Sequence, residues 1–289
     1  MESSALTDLF LPIAIGVIML GMGLTLSLDD FKRIFIYPKA ILIGVVNQII
    51  VLPVVGFLLV SSFALSPELG VGIMILAACP GGPTSNLMSH VAKGDTALSI
   101  SLTAIVSVIT VVTIPFIVNF ALQHLMGVAT YQSLEVYDTV IKIFSVTIFP
   151  VIIGMTINRY APEFARKSER GVKIASVVFL VLIILGAILK EKENVVTFFI
   201  QAGPVALALN VITMTIGYLT ALFFGLNKRQ RTSISIEVGI QNGTLAIAIA
   251  LGMLENSQMA ISPAIYSLIM FLTGGIFMYW SAKGISKTS

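Results

Sequence analysis

The residues of this chain that could do chemistry are few, and they lie where polar groups are costly. Ser235-Ile-Glu237-Val-Gly-Ile-Gln241-Asn242-Gly-Thr244 lodges an acid and two amides inside an otherwise apolar span, and only apolar residues and glycine follow as far as Leu254. A charged side chain at mid-bilayer costs roughly 2.5–3.5 kcal/mol on insertion scales, so a retained one points to a function. A second polar break, Cys79-Pro-Gly-Gly-Pro-Thr-Ser-Asn86, interrupts another hydrophobic span in the first half. Asn47 and Gln48 fall near the middle of a third apolar span. Ser99 and Thr103, on one face of a helix, fall in a fourth, with Thr96, Ser107 and Thr110 nearby.

Together these supply carboxylate, amide and hydroxyl oxygens, with backbone carbonyls freed wherever a helix unwinds. Such a set suits a small hard cation, and the sequence has no His or Cys cluster of the kind that holds a transition metal. A single carboxylate among neutral oxygens favours a monovalent ion over calcium. The breaks serve an opposite charge. Where a half-helix restarts, free N–H groups and the positive dipole end make an anion site. Pro83 suits the first turn of such a restart, and Gly81 and Gly82 permit the unwound backbone before it. Gly239 and Gly243 bracket the break around Gln241 and Asn242. The restarts at Thr84–Asn86 and Asn242–Thr244 are expected to converge on one anionic group.

Plainer readings stand beside these. Membrane Ser and Thr often bond back to their own helix, the reading favoured for Ser107 and Thr110. Gln48 could tie helices together, Pro-Gly-Gly could be a kink, and Glu237 could be a structural acid. Cys79 reads as a buried packing residue, and His90 and His124 as interfacial. Tyr279 and Trp280 read as an aromatic belt anchor, and the methionines as gap fillers or lipid-facing residues.

The frame that must hold these groups follows from composition. The chain has 289 residues, is 57% hydrophobic and 11% charged, and has a mean hydropathy of +1.00. Those values exclude a soluble domain and indicate a polytopic all-α membrane protein. A net charge of +3 carried in short loops is no nucleic-acid signature. The acidic start, Glu2 and Asp8 without Lys or Arg, does not read as a signal peptide.

A spanning helix needs about 20 mostly apolar residues. Nine spans are expected: 9–28, 38–61, 69–91 (broken), 95–120, 136–157, 172–190, 199–224, 231–254 (broken) and 260–282. This count sorts the charges. Lys32, Arg33, Lys39, Lys93, Arg159, Arg166, Lys167, Arg170, Lys173, Lys228, Arg229, Arg231, Lys283 and Lys287 fall on one side. Only Lys142, Lys190 and Lys192 fall on the other, which completes the 17 basic residues. The positive-inside rule then puts the C-terminus in the cytoplasm and the N-terminus outside. The broken spans, third and eighth, are an odd number of spans apart. Equivalent spans therefore run in opposite directions, an inverted repeat of 9–120 and 136–282.

Three segments, Gly21-Met-Gly-Leu-Thr-Leu26, Cys79-Pro-Gly-Gly-Pro-Thr-Ser-Asn86 and Glu237-Val-Gly-Ile-Gln-Asn242, resemble the bile acid:sodium symporter family, in order and separation over nearly the whole chain. The resemblance implies a panel domain (9–28, 136–157, 172–190) and a core domain (38–120 and 199–282), with the two broken helices crossing in the core. Nine spans with no leading helix resembles mammalian members; some bacterial relatives have ten. The resemblance implies two sodium ions. One would be held by Ser85, Asn86, Ser99, Thr103 and Glu237, the other by Gln48, Gln241, Glu237 and the backbone carbonyls of Val238 and Ile240. Substrate would meet Pro83, Thr84, Asn86, Asn242, Gly243 and Thr244. The chain departs from the pattern at Pro83, where bacterial relatives can carry a hydroxyl that helps hold a substrate carboxylate; Thr84 follows one position later. Phe271 and Leu272 make span nine notably apolar. Members resemble one another while carrying bile acids, pantoate, pyruvate and other organic anions.

The expectation is a sodium-coupled symporter of an organic anion in the cell (inner) membrane, working by alternating access. Its partners are the small organic anion and the lipid bilayer, with no nucleic acid and no obligatory protein partner. A proton-coupled carrier using Glu237 alone and a channel are the competing readings. An intramembrane enzyme would need an activated nucleophile or metal site, and the buried acid has no His or Asp partner in the sequence around it.

Overall fold

The computed structural model describes residues 10–127 and 133–285. Glu2, Asp8, Lys287 and the first residue of the expected opening span lie outside them. The described chain is helical throughout: α1 (Leu11–Thr25), α2 (Leu28–Ile36), α3 (Pro38–Val46), a π-helical turn (Asn47–Val51), α4 (Leu52–Ser62), α5 (Pro67–Ala78), α6 (Pro83–Val91), α7 (Thr96–Met126), α8 (Val136–Val146), α9 (Ile148–Tyr160), α10 (Pro162–Lys190), α11 (Val195–Phe223), α12 (Lys228–Gly239), α13 (Gly243–Gly252) and α14 (Ser257–Ile285). Helix is the form in which an apolar segment satisfies its own backbone away from water. By length and composition, five helices among the described residues can each cross a membrane. A sixth span is counted if α1 and α2, bent by 63° at their break, are one. The protein is a multi-pass membrane protein.

Local sequence sets the ends of these helices. Proline opens α3, α5, α6 and α10, where its missing N–H costs nothing. Ser66, Asp95, Asn227 and Asn256 accept from the backbone N–H three residues on, in Leu69, Leu98, Gln230 and Met259. The same spacing separates Ser66 from Asn227, the end of α5 at Cys79 from that of α12 at Ile240, and Asp95 from Asn256. Several helices run beyond expectation, α10 and α7 furthest at one end. α10 begins at Pro162 rather than 172, because Pro162, Glu163 and the Ala, Arg and Lys that follow are good helix starters and formers. α7 continues to Met126 rather than 120, and His124 stacks on Phe120 at 4.2 Å between ring centroids.

α1, α9 and α10 pack on one another, whereas α5, α7, α11, α12 and α14 form a second set of neighbours. The α1–α9 contact is backbone on backbone. A Cβ at Gly23 would run into Val151 and Gly154, and one at Gly154 into Leu20 and Gly23. Within the second set α13 is buried all round from Gly243 to Leu251 and α5 from Leu69 to Ala78. α12, polar in composition, is buried too. Its hydroxyls bond to neighbouring helices and loops, Ser233 to the Asp95 carbonyl at 2.9 Å and Ser235 to the Met214 carbonyl at 2.8 Å. Broken helices are tolerated at membrane depth only inside such a protein envelope.

Candidate functional site

α5 and α12 stop at Cys79 and Ile240, both in extended conformation. The links to α6 and α13 then pass each other antiparallel. Gly81 pairs with Gln241, and the Asn242 N–H donates to the Pro80 carbonyl at 2.9 Å. Each unwound strand thus supplies a partner for the other, as buried backbone requires. Gly81 is needed for room rather than for its dihedral freedom: a Cβ there would lie 2.6 Å from Glu237 Oε2. Gly82 has an ordinary extended backbone (φ −125°, ψ 176°). Gly239 and Gly243, which bracket the second break, admit close packing by Met214 and Ser267.

Glu237 is fully buried, one turn before the break. Its Oε1 accepts from Ser85 Oγ at 2.6 Å, Ser99 Oγ at 2.5 Å and Thr103 Oγ1 at 3.0 Å. Oε2 accepts from Thr103 Oγ1 at 2.9 Å and Gln48 Nε2 at 3.3 Å. Asn86 Oδ1 faces the same hydroxyls, at 2.9 Å from Ser99 Oγ and 3.1 Å from Thr103 Oγ1. Three hydroxyl protons serve both carboxylate oxygens, the Asn86 oxygen and the Gly82 carbonyl, which takes Ser85 Oγ at 2.7 Å. Each hydroxyl has one proton, so lone pairs outnumber donors here. A small hard cation fits that excess.

A second group of oxygens adjoins the first. The π-helical turn begins at Asn47 and carries Gln48 toward α12; π turns inside helices often mark functional sites. Gln48 Nε2 donates to the Glu237 carbonyl at 2.9 Å, and Gln241 Nε2 to the carbonyls of Glu237 (3.2 Å) and Val238 (2.7 Å). Both amide oxygens, Gln48 Oε1 and Gln241 Oε1, are buried with no hydrogen-bond partner. Buried acceptors of that kind are costly unless something ligates them. The Ile240 carbonyl lies on the Gly81 side of the crossing.

The helix restarts are more self-satisfied than their dipoles suggest. Pro83 has no N–H, the Ser85 N–H bonds to the Gly82 carbonyl and the Gly243 N–H to the Gln241 carbonyl. Asn242 caps α13 through Oδ1 on the Leu245 N–H at 3.0 Å, which leaves its buried Nδ2 with no partner. That amide, with Thr84 and Thr244, lines a cavity of about 60 Å³ closed on the far side by Ile18 of α1 and Ser176 and Leu180 of α10. No acidic or basic side chain lines it. Asn86, placed by sequence in both the cation and anion sets, directs its oxygen to Ser99 and Thr103.

Two residues of the site were not singled out from sequence. Asn210 Nδ2 (2.7 Å) and Tyr266 OH (2.8 Å) both donate to the Gly239 carbonyl, the last of α12. The available signal was an amide near the middle of α11, in the apolar run that follows Gln201. The plainer readings hold for Ser107 and Thr110, which bond back to the Thr103 and Ser107 carbonyls, and for Cys79, which is buried. Tyr279 and Trp280 are exposed.

Two interrupted helices crossing at a buried acid, inside a multi-pass helical frame, define a class of membrane protein whose helices unwind within a protein envelope. Residues 12–198 match the model of the Sodium Bile acid symporter family, and the chain belongs to that family, which is one of transporters. It is 31% identical over 95% of its length, and 84% of the relative's, to the "Uncharacterized sodium-dependent transporter YocS" of Bacillus subtilis. It is 28% identical over 96% of its length to the "Probable sodium/metabolite cotransporter BASS2, chloroplastic" of Oryza sativa subsp. japonica, of which it spans 65%. It is 25% identical over 95% of its length, and 79% of the relative's, to the "Ileal sodium/bile acid cotransporter" of Oryctolagus cuniculus.

Proposed function

We propose that this chain is a sodium-coupled symporter of an organic anion, a bile-acid-like, pantoate-like or pyruvate-like carboxylate, working by alternating access. One observation carries the proposal: Glu237, without a basic partner among the described residues, is enclosed by hydroxyls from α6 and α7 and by the Gln48 amide of the π-helical turn, beside the crossing of two unwound strands. One sodium ion is assigned to Ser85, Asn86, Ser99, Thr103 and Glu237, the second to Gln48, Gln241, Glu237 and the carbonyls of Val238 and Ile240. The anion is assigned to the small cavity at Thr84, Asn242 and Thr244, with the backbone at Pro83 and Gly243 and the Asn86 edge beside it.

The coupling follows from charge. The anion cavity has no cationic side chain, so its occupant depends on nearby sodium for a counter-charge. One acid, two sodium ions and one monoanion leave the loaded crossing neutral. Each ligand then favours the other, and linkage makes that reciprocal. One net positive charge enters per cycle, assisted by roughly 2.3 kcal/mol per 100 mV of inward potential. No catalytic step is assigned to the chain.

For the frame, nine spans are assigned, with α5–α6 and α12–α13 as broken ones and α10 as the sixth. The N-terminus is outside and the C-terminus in the cytoplasm of the cell membrane. The matched caps at Ser66/Asn227 and Asp95/Asn256 support an inverted repeat. The α1–α9–α10 group acts as panel and the rest as core. Uptake of labelled carboxylates into proteoliposomes tests the proposal: sodium outside should drive accumulation, enhanced by an inside-negative potential. Equal uptake in sodium and choline buffers contradicts it.

A further inference from the structure

The Ile240 N–H makes the last helical bond of α12, to the Ile236 carbonyl at 2.8 Å, and the chain is extended at Ile240 (φ −104°, ψ 97°). The carbonyls of Glu237, Val238 and Gly239 therefore need partners from outside the helix ladder. The first two are taken by the amides beside the carboxylate: Glu237 accepts from Gln48 and Gln241, and Val238 from Gln241 at 2.7 Å. The Gly239 carbonyl is turned elsewhere. It accepts from Asn210 of α11 and Tyr266 of α14, which contribute no hydrogen bond to the Glu237 carboxylate. The Ile240 carbonyl lies on the Gly81 side again.

This alternation has a chemical consequence. A carbonyl oxygen has two lone pairs. Two donors saturate the one at Gly239 and leave nothing for a cation, whereas Val238, with one donor, keeps a lone pair. Peptide planarity means that a carbonyl fixed at Gly239 also fixes the Ile240 N–H. Glycine is where this segment could otherwise rotate most freely, and no stiffer residue fits, since a Cβ at Gly239 would run into Met214. The restraint must come from the donors. Asn210 and Tyr266 are both fully buried and bond to each other at 3.1 Å. Asn210 Oδ1 is buried without a partner among the described residues, a cost that a leucine there would not carry.

We infer that Asn210 and Tyr266 are positioning residues for the second sodium ion: by saturating the Gly239 carbonyl they hold the peptides on either side so that the Val238 and Ile240 carbonyls face the ion. They touch the backbone and not the ion. The inference rests on the symport reading, which supplies the second ion, and adds α11 and α14 to the elements that shape its site.

The test is equilibrium binding of radiolabelled sodium to the purified full chain, with choline keeping ionic strength constant. Wild type should show two components. Tyr266→Phe should weaken one of them about fivefold, the worth of one buried hydrogen bond, and Asn210→Leu, which removes two, should weaken the same one further. Ser99→Ala should weaken the other. Ser262→Ala is the structural control: it removes a buried α14 hydroxyl that donates to the Leu69 carbonyl at 2.8 Å. It should lower thermal stability yet leave both components within about twofold of wild type, as expected of an independent site. A single component in wild type, both components unchanged in Tyr266→Phe and Asn210→Leu, the same component weakened by Tyr266→Phe and Ser99→Ala, or an equal loss in Ser262→Ala overturns the inference. Wild-type protein that binds no sodium refutes the symport reading itself.

Discussion

Ser99 Oγ stands 2.5 Å from Glu237 Oε1 and 2.9 Å from Asn86 Oδ1, so one hydroxyl proton faces two acceptors. Bridging of that kind leaves a lone pair of the second acceptor without a donor. In the proposed sodium-loaded state the ion takes up that excess. Ser99→Ala is expected to raise the sodium concentration for half-maximal anion uptake about tenfold, with uptake at saturating sodium near wild type. A sodium titration of uptake checks this; an unchanged midpoint removes Ser99 from the ion's shell.

The two glycines of the first break should differ. A Cβ at residue 81 would press on Glu237 Oε2, whose carboxylate is held by four side chains and has little freedom to yield. At residue 82 the nearest atom would be Thr84 Oγ1, at an ordinary 3.6 Å. Gly81→Ala is expected to abolish sodium-dependent uptake while Gly82→Ala retains most of it. Comparable losses in both would mean that chain flexibility, not room beside the acid, is the requirement.

Gly23 and Gly154 bring α1 and α9 into backbone contact. Gly23→Val is expected to destabilise the protein by about 1–3 kcal/mol through overpacking, seen as lower thermal stability in both sodium and potassium. The difference between the two salts should survive, because the atoms an added side chain meets, in Val151 and Gly154, belong to α9 and not to the crossing. Loss of the sodium increment instead would tie this contact to the ion site.

The Gly239 carbonyl has two donors, Asn210 and Tyr266. Tyr266→Phe should cost roughly 1 kcal/mol or less, since Asn210 remains. Combining it with Asn210→Leu should cost more than the two single losses added, because only then is the buried carbonyl left without a donor. A double-mutant cycle on thermal or denaturant stability measures this; strict additivity would mean that the two bonds are independent.

Much of the crossing was legible in the sequence because polar groups in apolar spans have few reasons to exist. Glu237, Gln48, Ser85, Asn86, Ser99 and Thr103 come from four separate segments and meet around one carboxylate, Asn86 through the Ser99 and Thr103 hydroxyls. What could not be read is register. Gln48 reaches α12 from a π turn, which no periodicity announces. Gly81 suggests unwound backbone, but the structure uses it, like Gly239 and Gly243 beside the second break, for closeness, a property of the neighbouring side chains rather than of the local sequence. Asn210 carries no distinguishing signal, because an amide in an apolar helix looks the same in sequence whether it grips a neighbour or faces a ligand. The early start of α10 was hidden by charge: Glu163, Arg166, Lys167, Glu169 and Arg170 read as a loop between spans although each favours helix.

The central claim is that sodium binds at Glu237. Its most direct measurement is the apparent melting temperature of purified protein titrated with sodium chloride at constant ionic strength, for wild type and Glu237→Gln. A ligand specific for the native state stabilises by mass action, about 2.7 kcal/mol at a hundredfold excess over Kd. The account predicts that sodium, but neither potassium nor choline, raises the wild-type melting temperature, and that Glu237→Gln folds but does not respond. An equal sodium response in both proteins would contradict it.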